Sequence, residues 1–553
     1  MPEWIKYISD KHLFDEGWNA LRETIFANQK KLGVVPRDAK LTPWPDDLLK
    51  SWDKLTADEK KMFIRQAEVY AGYLAYTDYE IGRVIQAVED IGKLDNTLII
   101  YISGDNGSSA EGTLIGSPNE VASVNGVNVP VEDQLKYFYD IWGSHQTYPH
   151  MAAPWAWAFD TPFKWTKQTA SHFGGTRQGM AISWPKVIKD AGGIRAQFHH
   201  VIDIVPTILE ATGVKAPVVV NGVPQKPIEG ISLAYTFDKT NANAPSRHHT
   251  QYFEVMGDRA LYQDGWIAST TPSRPPWDVT GEASQGPAST FKWELYDLTK
   301  DWTQFDDIAT QYPDKLRTLQ EQFGVEAGKY QVLPLDSSMA RRLLIPRPSI
   351  TAGKTVFTYS GEVTGIQHGE APSILDKSYT ITAEVEIPVG GAEGMLVTEG
   401  GRFGGYGFYL LKGKPVFLWN LVNVKRVRWE APEALSPGKH TLAFDFQYEG
   451  KGLASASGTS DIGKGGLGVL KVDGKEVASQ RMEHTAPLIF QWNETFDVGA
   501  DTGTPVEDAD YQVPFRFTGK LNRLTIELRP VPLSAADEKL LEEKGNRENE
   551  ASQ

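Results

Sequence analysis

Leu98-Ile-Ile-Tyr-Ile-Ser-Gly-Asp-Asn-Gly107 decides how the rest of the chain is read. An almost wholly apolar run breaks off into the turn Gly104-Asp-Asn-Gly107. The run is dense in β-branched and aromatic side chains, which predicts a strand buried on both faces, the kind found in parallel sheets. Open α/β sheets carry their chemistry just past the carboxyl ends of such strands. At that position stand a carboxylate, Asp105, a carboxamide, Asn106, and flanking glycines that let the backbone approach a ligand. Asp-Asn-Gly alone signals only a tight turn, so its surroundings must carry the reading.

Upstream, Glu68 to Lys93 predicts a long helix. Ile81, Val84, Ile85 and Val88 fall at the spacing of a buried stripe. Leu94-Asp-Asn-Thr97 ends that helix and leads into the strand. At 553 residues the chain is too long for one ordinary core, so two or more domains are expected. Hydrophobic content of 41% and aromatic content of 11% exclude a disordered chain. A net charge of -15 argues against nucleic acid as partner. With no cysteine there are no disulfides and no thiolate nucleophile or metal site. Met1-Pro-Glu-Trp-Ile-Lys6 is no basic-then-apolar leader, and no run has the length of a membrane span, so the chain reads as soluble with its compartment open.

The unit of helix, Leu94-Asp-Asn-Thr97, apolar strand and Asp105-Asn-Gly107 resembles the sulfatase family of the alkaline-phosphatase-like superfamily. A second resemblance lies in Thr161-Pro-Phe-Lys-Trp-Thr-Lys-Gln-Thr-Ala-Ser-His-Phe-Gly-Gly-Thr-Arg177, which leads into Met180-Ala-Ile-Ser-Trp-Pro185. Sulfatases carry a lysine a few residues ahead of a Gly-Gly turn that opens a strand ending in Trp-Pro. The resemblance implies an active-site Ca2+ held in part by Asp105 and Asn106, and a lysine on the substrate sulfate. Lys167 matches that lysine first and Lys164 second. An ammonium on a flexible stem suits a sulfate oxygen and a developing leaving-group charge. His150, in Tyr148-Pro-His-Met151, is a candidate pocket residue, with packing an equal alternative. His172 stays unassigned between the site and an ordered turn.

The resemblance covers about residues 10 to 345 and implies a sulfuric ester hydrolase of the arylsulfatase type. Its nucleophile would be a formylglycine made from Cys-x-Pro-x-Arg or Ser-x-Pro-x-Arg, which the family carries upstream, along with two Asp ligands of the metal. The stretch 1 to 60 resembles family sequence that lies in mid-domain. The expectation is therefore an incomplete domain with no nucleophile in this chain, a partial Ca2+ site and no activity of its own. Ser338-Met-Ala-Arg-Arg342 loosely fits the signature and reads as a chance match. The expected substrate is a small sulfate ester or a sulfated glycan. Two rivals stay open: a phosphoric or phosphonic ester hydrolase of the same superfamily, and a non-catalytic remnant valued for its β domain.

Farther along, His199-His-Val-Ile-Asp-Ile-Val-Pro206 to Gly213 predicts a helix capped by Asp203. The paired histidines read as structural, because adjacent residues diverge on a helix. Strand patterns within about 250–332, closed by a helix from Asp314 to Tyr330, predict a small antiparallel subdomain within an α/β domain spanning 1–345. Leu333 to Pro348 reads as a linker. Alternating strands over 349–531 predict an all-β sandwich of the jelly-roll or lectin-like kind, with a hairpin at Asp473-Gly474. Tyr406, Trp419 and Trp429 are candidates for a sugar platform there, with core packing the commoner use of strand aromatics. Residues 532–553 read as a polar tail.

Overall fold

The computed structural model describes residues 1–529 and 539, apart from 273, 279–287, 338–347 and 451–462. The loose signature at 338–342, most of the linker at 333–348 and nearly all of the polar tail lie outside the described residues.

Tryptophan packing builds the first core. Trp18, wholly buried on the helix Gly17–Leu32, meets Trp52 at 4.8 Å and Trp155 at 5.4 Å between ring centroids, both edge-on. The helix Ala57–Asp90 joins this core through Met62, Phe63, Ala67 and Val69. Its start is held by a reciprocal Thr56–Glu59 capping box. Beyond Gly72 it leaves the core. Of the expected buried stripe, Ile81, Ile85 and Val88 are half-buried and Val84 is exposed. That expectation is corrected: among the described residues no element packs along this face closely enough to cover it.

The strand Ile99–Ile102 also departs from expectation. It pairs antiparallel with Met180–Ser183, from Ile99 opposite Ser183 to Ile102 opposite Met180, in a two-stranded sheet. Tyr101 and Ile102 are exposed rather than buried on both faces. Among the described residues one neighbour strand cannot enclose it, and a parallel partner is not among them.

Asp203 caps differently from the expectation. His200 is the N-cap of a short turn, Val201–Asp203, which runs into the helix Ile204–Thr212. The buried Asp203 carboxylate accepts from His200 N at 2.9 Å, Ile231 N at 2.8 Å and His248 Nδ1 at 2.8 Å. These contacts and His199 hold Asp203 well below the usual carboxylate range, although burial opposes the shift. The histidines are structural, as expected.

Thr250–Val255, Asp258–Gln263, Trp266–Thr270 and Trp293–Asp297 form a sequential antiparallel sheet. The helix Pro313–Lys329 covers it with Leu319, Phe323 and Ala327 against Leu261, Ala268 and Leu295.

From Val356 onward, the described residues form twelve strands in two six-stranded antiparallel sheets. They face each other across one apolar core, with Phe417 of one sheet stacked on Phe444 of the other at 3.5 Å. Asp473 and Gly474 both take positive φ in the two-residue hairpin turn, as a right-handed strand twist requires. Tyr406, Trp419 and Trp429 are 0%, 0% and 1% exposed. They are core, so the sugar platform is corrected. Their strands alternate, and these positions point into the sandwich rather than outward.

A loop of the α/β part plugs into this sandwich. Asn119 Nδ2 donates to Phe403 O and Val422 O, both at 2.8 Å. Val121 and Ala122, on the short helix Glu120–Val124, are wholly buried in the sandwich core. Asn125 Nδ2 donates to Ile489 O at 2.8 Å, and Asn125 Oδ1 accepts from Leu488 N at 2.9 Å.

Candidate functional site

The turn after Ile99–Ile102 and the loop before Met180–Ser183 are joined by backbone bonds. Gly107 N donates to Gly175 O at 3.0 Å, and Lys167 N donates to Ser108 O at 3.1 Å. A Cβ at residue 107 would lie 1.7 Å from Gly174 O, so only glycine allows this contact. Asp160 fixes the next residue by accepting from Ser108 N with both carboxylate oxygens, at 2.9 and 3.1 Å. Pairing of the two strands thus brings Asp105 and Asn106 to the loop that carries Lys167. Trp165 and Gln168, on either side of Lys167, both have positive φ, at 71° and 77°. Such conformations cost of order 1 kcal/mol or more each and persist where surrounding structure holds them.

Asp105 is exposed and Asn106 half-buried. Among the described residues no hydrogen bond engages either side chain. Their oxygens are hard donors with unspent lone pairs, which fits a Ca2+-type ion. Such an ion takes about six to eight oxygens, so this pair fits as part of a shell.

Lys167 Nζ donates to Glu111 Oε2 at 2.8 Å. An ammonium has three N–H groups, so two remain for another acceptor. Lys164, the second choice, is spent elsewhere: its Nζ lies 2.7 Å from Tyr296 Oη and 3.3 Å from Glu294 Oε2. His172 is buried in the same network, with Nε2 3.1 Å from Glu294 and Nδ1 2.9 Å from Ser171 Oγ. Burial pushes His172 down to about 4 despite Glu294. It is a packed turn histidine and lies apart from the Glu111 cluster. His150 has both ring nitrogens engaged, Nε2 with Ser109 Oγ at 2.9 Å and Nδ1 with Met151 O at 3.0 Å.

Sequence reasoning passed over Glu111, Ser109, Gln168 and Glu120. Glu111 is the hub: besides Lys167 it accepts from Gln168 Nε2 at 2.7 Å and Ser109 Oγ at 2.9 Å. Burial alone would raise Glu111, but Lys167, Gln168 and Ser109 hold it below its usual value. Burial raises Glu120, with His150 opposing. Glu111, Glu120 and His150 bring ligand atoms within 4.8 Å of one another, a geometry that can hold a cation. Yet Glu111 already neutralises an ammonium, and a cation there would compete with Lys167. Ser109, Glu111 and Glu120 are polar residues of the Gly/Ser/Asn-rich stretch 108–129 and Gln168 adjoins Lys167, and nothing in their spacing marks them.

A carboxylate and amide at a strand end, seamed to a lysine loop, can present a hard cation and an ammonium to one oxyanion. The family described as Sulfatase matches residues 11–214. The chain is 30% identical over 351 residues to an uncharacterized sulfatase of Schizosaccharomyces pombe, covering 61% of this chain and 57% of that protein. It is 26% identical over 256 residues to an arylsulfatase of Klebsiella aerogenes, covering 46% and 50%. A solved structure titled Ps i-CgsB aligns over 60% of each chain at 17% identity and a TM-score of 0.32, a likeness too low to add to this. Residues 11–214 thus match the sulfatase family, and both curated relatives are sulfatases. The chain spans about half the length of the curated relatives it matches. Among the described residues no helix is long and apolar enough to cross a membrane.

Proposed function

We propose that residues 1–345 carry the sulfate-holding part of a sulfuric ester hydrolase site of the arylsulfatase type, with the β sandwich of 349–531 beside it. The observation that supports this most is the backbone seam between the Asp105-Asn106 turn and the Lys167 loop. Asp105 and Asn106 would supply two oxygens to Ca2+, which when bound offsets sulfuryl charge as a Lewis acid. Lys167 binds a sulfate oxygen through its unspent N–H groups and stabilises negative charge on the departing alcohol or phenol oxygen. His150 borders the sulfate and reaches it by exchanging its Ser109 bond. The formylglycine nucleophile belongs to the same proposal, and no residue of this chain is assigned to it. The substrate is a small sulfate ester or a sulfated glycan.

On this reading the chain by itself binds Ca2+ weakly and turns over no aryl sulfate. Incubation with an aryl sulfate and Ca2+ tests it, and turnover at an ordinary enzymatic rate overturns it. Calorimetric titration with inorganic sulfate in Ca2+ tests the lysine. Binding is expected to vanish in Lys167→Met and persist in Lys164→Met, and the reverse pattern removes Lys167 from the site.

A further inference from the structure

The two basic residues of the candidate site share one anchor. Glu111 spends its Oε2 on Lys167 Nζ and Ser109 Oγ and its Oε1 on Gln168 Nε2. Ser109 in turn meets His150 Nε2. Gln168 is fixed from its far side as well, since its Oε1 accepts from Arg274 Nη2 at 2.8 Å. A carboxylate has two oxygens and about four lone-pair sites, so three donors at these distances leave it well satisfied and rigidly placed. Lys167 is a part-exposed side chain on a flexible stem that would otherwise sample many rotamers. One contact to a fixed carboxylate selects among them and leaves two N–H groups free.

We propose that Glu111 is the positioning residue of this site: it sets where the Lys167 ammonium stands and, through Ser109, orients the ring of His150. This rests on the sulfate-site reading only for its purpose, since the anchoring itself is independent of any substrate. Glu111 touches no reacting atom, and its charge as well as its shape is required. The isosteric amide offers one acceptor where the carboxylate offers two. It cannot serve Lys167, Ser109 and Gln168 together.

The test uses the full chain. Trace acetylation of amines and diethyl pyrocarbonate modification of histidines are read residue by residue by mass spectrometry in wild type, Glu111→Gln and Ser109→Ala. Lys164 and His172, which belong to the separate Glu294 network, are internal controls. Glu111→Gln is expected to raise the labelling of Lys167 relative to Lys164 roughly threefold or more, the scale of a part-exposed ion pair, and that of His150 relative to His172. Ser109→Ala should release His150 and leave Lys167 unchanged. If Lys167 labels equally in wild type and Glu111→Gln, the proposal fails. If both controls rise with Lys167, Glu111 supports the fold generally and the proposal fails likewise. Repeating the labelling with added inorganic sulfate separates the two readings. Release of Lys167 in Glu111→Gln, with no sulfate protection in any variant, upholds the anchor and removes the sulfate role.

Discussion

Replacing Asn125 by alanine tests whether the α/β part and the β sandwich are one mechanical unit around the site. Asn125 is 7% exposed and makes three bonds that cross between the two parts: to Ile489 O, from Leu488 N and from Ile489 N at 3.2 Å. A fourth ties its own helix at Val121 O, at 2.8 Å. A net hydrogen bond is worth about 1 kcal/mol, and an unpartnered buried group costs about 1–3. Loss of three crossing bonds at a partly wet boundary therefore costs about 3 kcal/mol. Asn125→Asp should be no better. It keeps acceptors for Leu488 N and Ile489 N but sets carboxylate oxygens against Ile489 O and Val121 O. Amide hydrogen exchange is the suitable assay, because it reads each segment and does not require two-state unfolding. At about 1.4 kcal/mol per factor of ten, protection over residues 120–127 and 488–490 should fall on the order of a hundredfold. The strands Gly404–Leu411 and Lys414–Leu421 should keep theirs. Unchanged protection at both boundary segments would refute the claim that this plug joins the two parts.

Other outcomes follow from the same structure. Gly107→Ala forces a Cβ onto Gly174 O, so it should separate the Asp105-Asn106 turn from the Lys167 loop; Ca2+-dependent sulfate binding read by calorimetry should be lost while the circular dichroism of the sandwich persists. Trp419→Ala should cost about 3–5 kcal/mol as a core truncation, read by denaturant unfolding; a variant of normal stability with altered glycan binding would reverse the core assignment. The Asp203–His248 pair predicts a pH dependence. Burial lowers His248, but Asp203 outweighs it and the net shift is upward. A group raised on folding contributes stability in full below its unfolded value of about 6.5 and loses it as pH rises through the folded value. Asp203 is depressed, so its share is present above about 4 and falls away only as pH drops through its folded value. Thermal stability should therefore decline from neutral to alkaline pH in wild type, and Asp203→Asn should flatten that decline.

What could be read without coordinates was local. Periodicity and turn chemistry gave the small antiparallel sheet, its covering helix, an all-β sandwich and the Asp473-Gly474 hairpin, because hydrogen-bonded turns and alternating faces are properties of neighbouring residues. Motifs likewise singled out Asp105, Asn106 and Lys167. Burial was harder to read. An apolar strand and an i, i+3, i+4 stripe state that a face can be buried, while its neighbours decide whether it is; Tyr101 and Val84 stand exposed for that reason. The same limit turned Tyr406 and Trp419 from platform candidates into core.

By itself the sequence determined which elements form and which side chains are chemically able to meet an oxyanion. Only the tertiary structure decided which side chains meet one another. Glu111 lies 56 positions from Lys167 and Asn125 lies 364 from Ile489. The physical reason is that a hydrogen bond spanning such a distance leaves no trace in local composition, so its partners are chosen by packing and cannot be read from spacing.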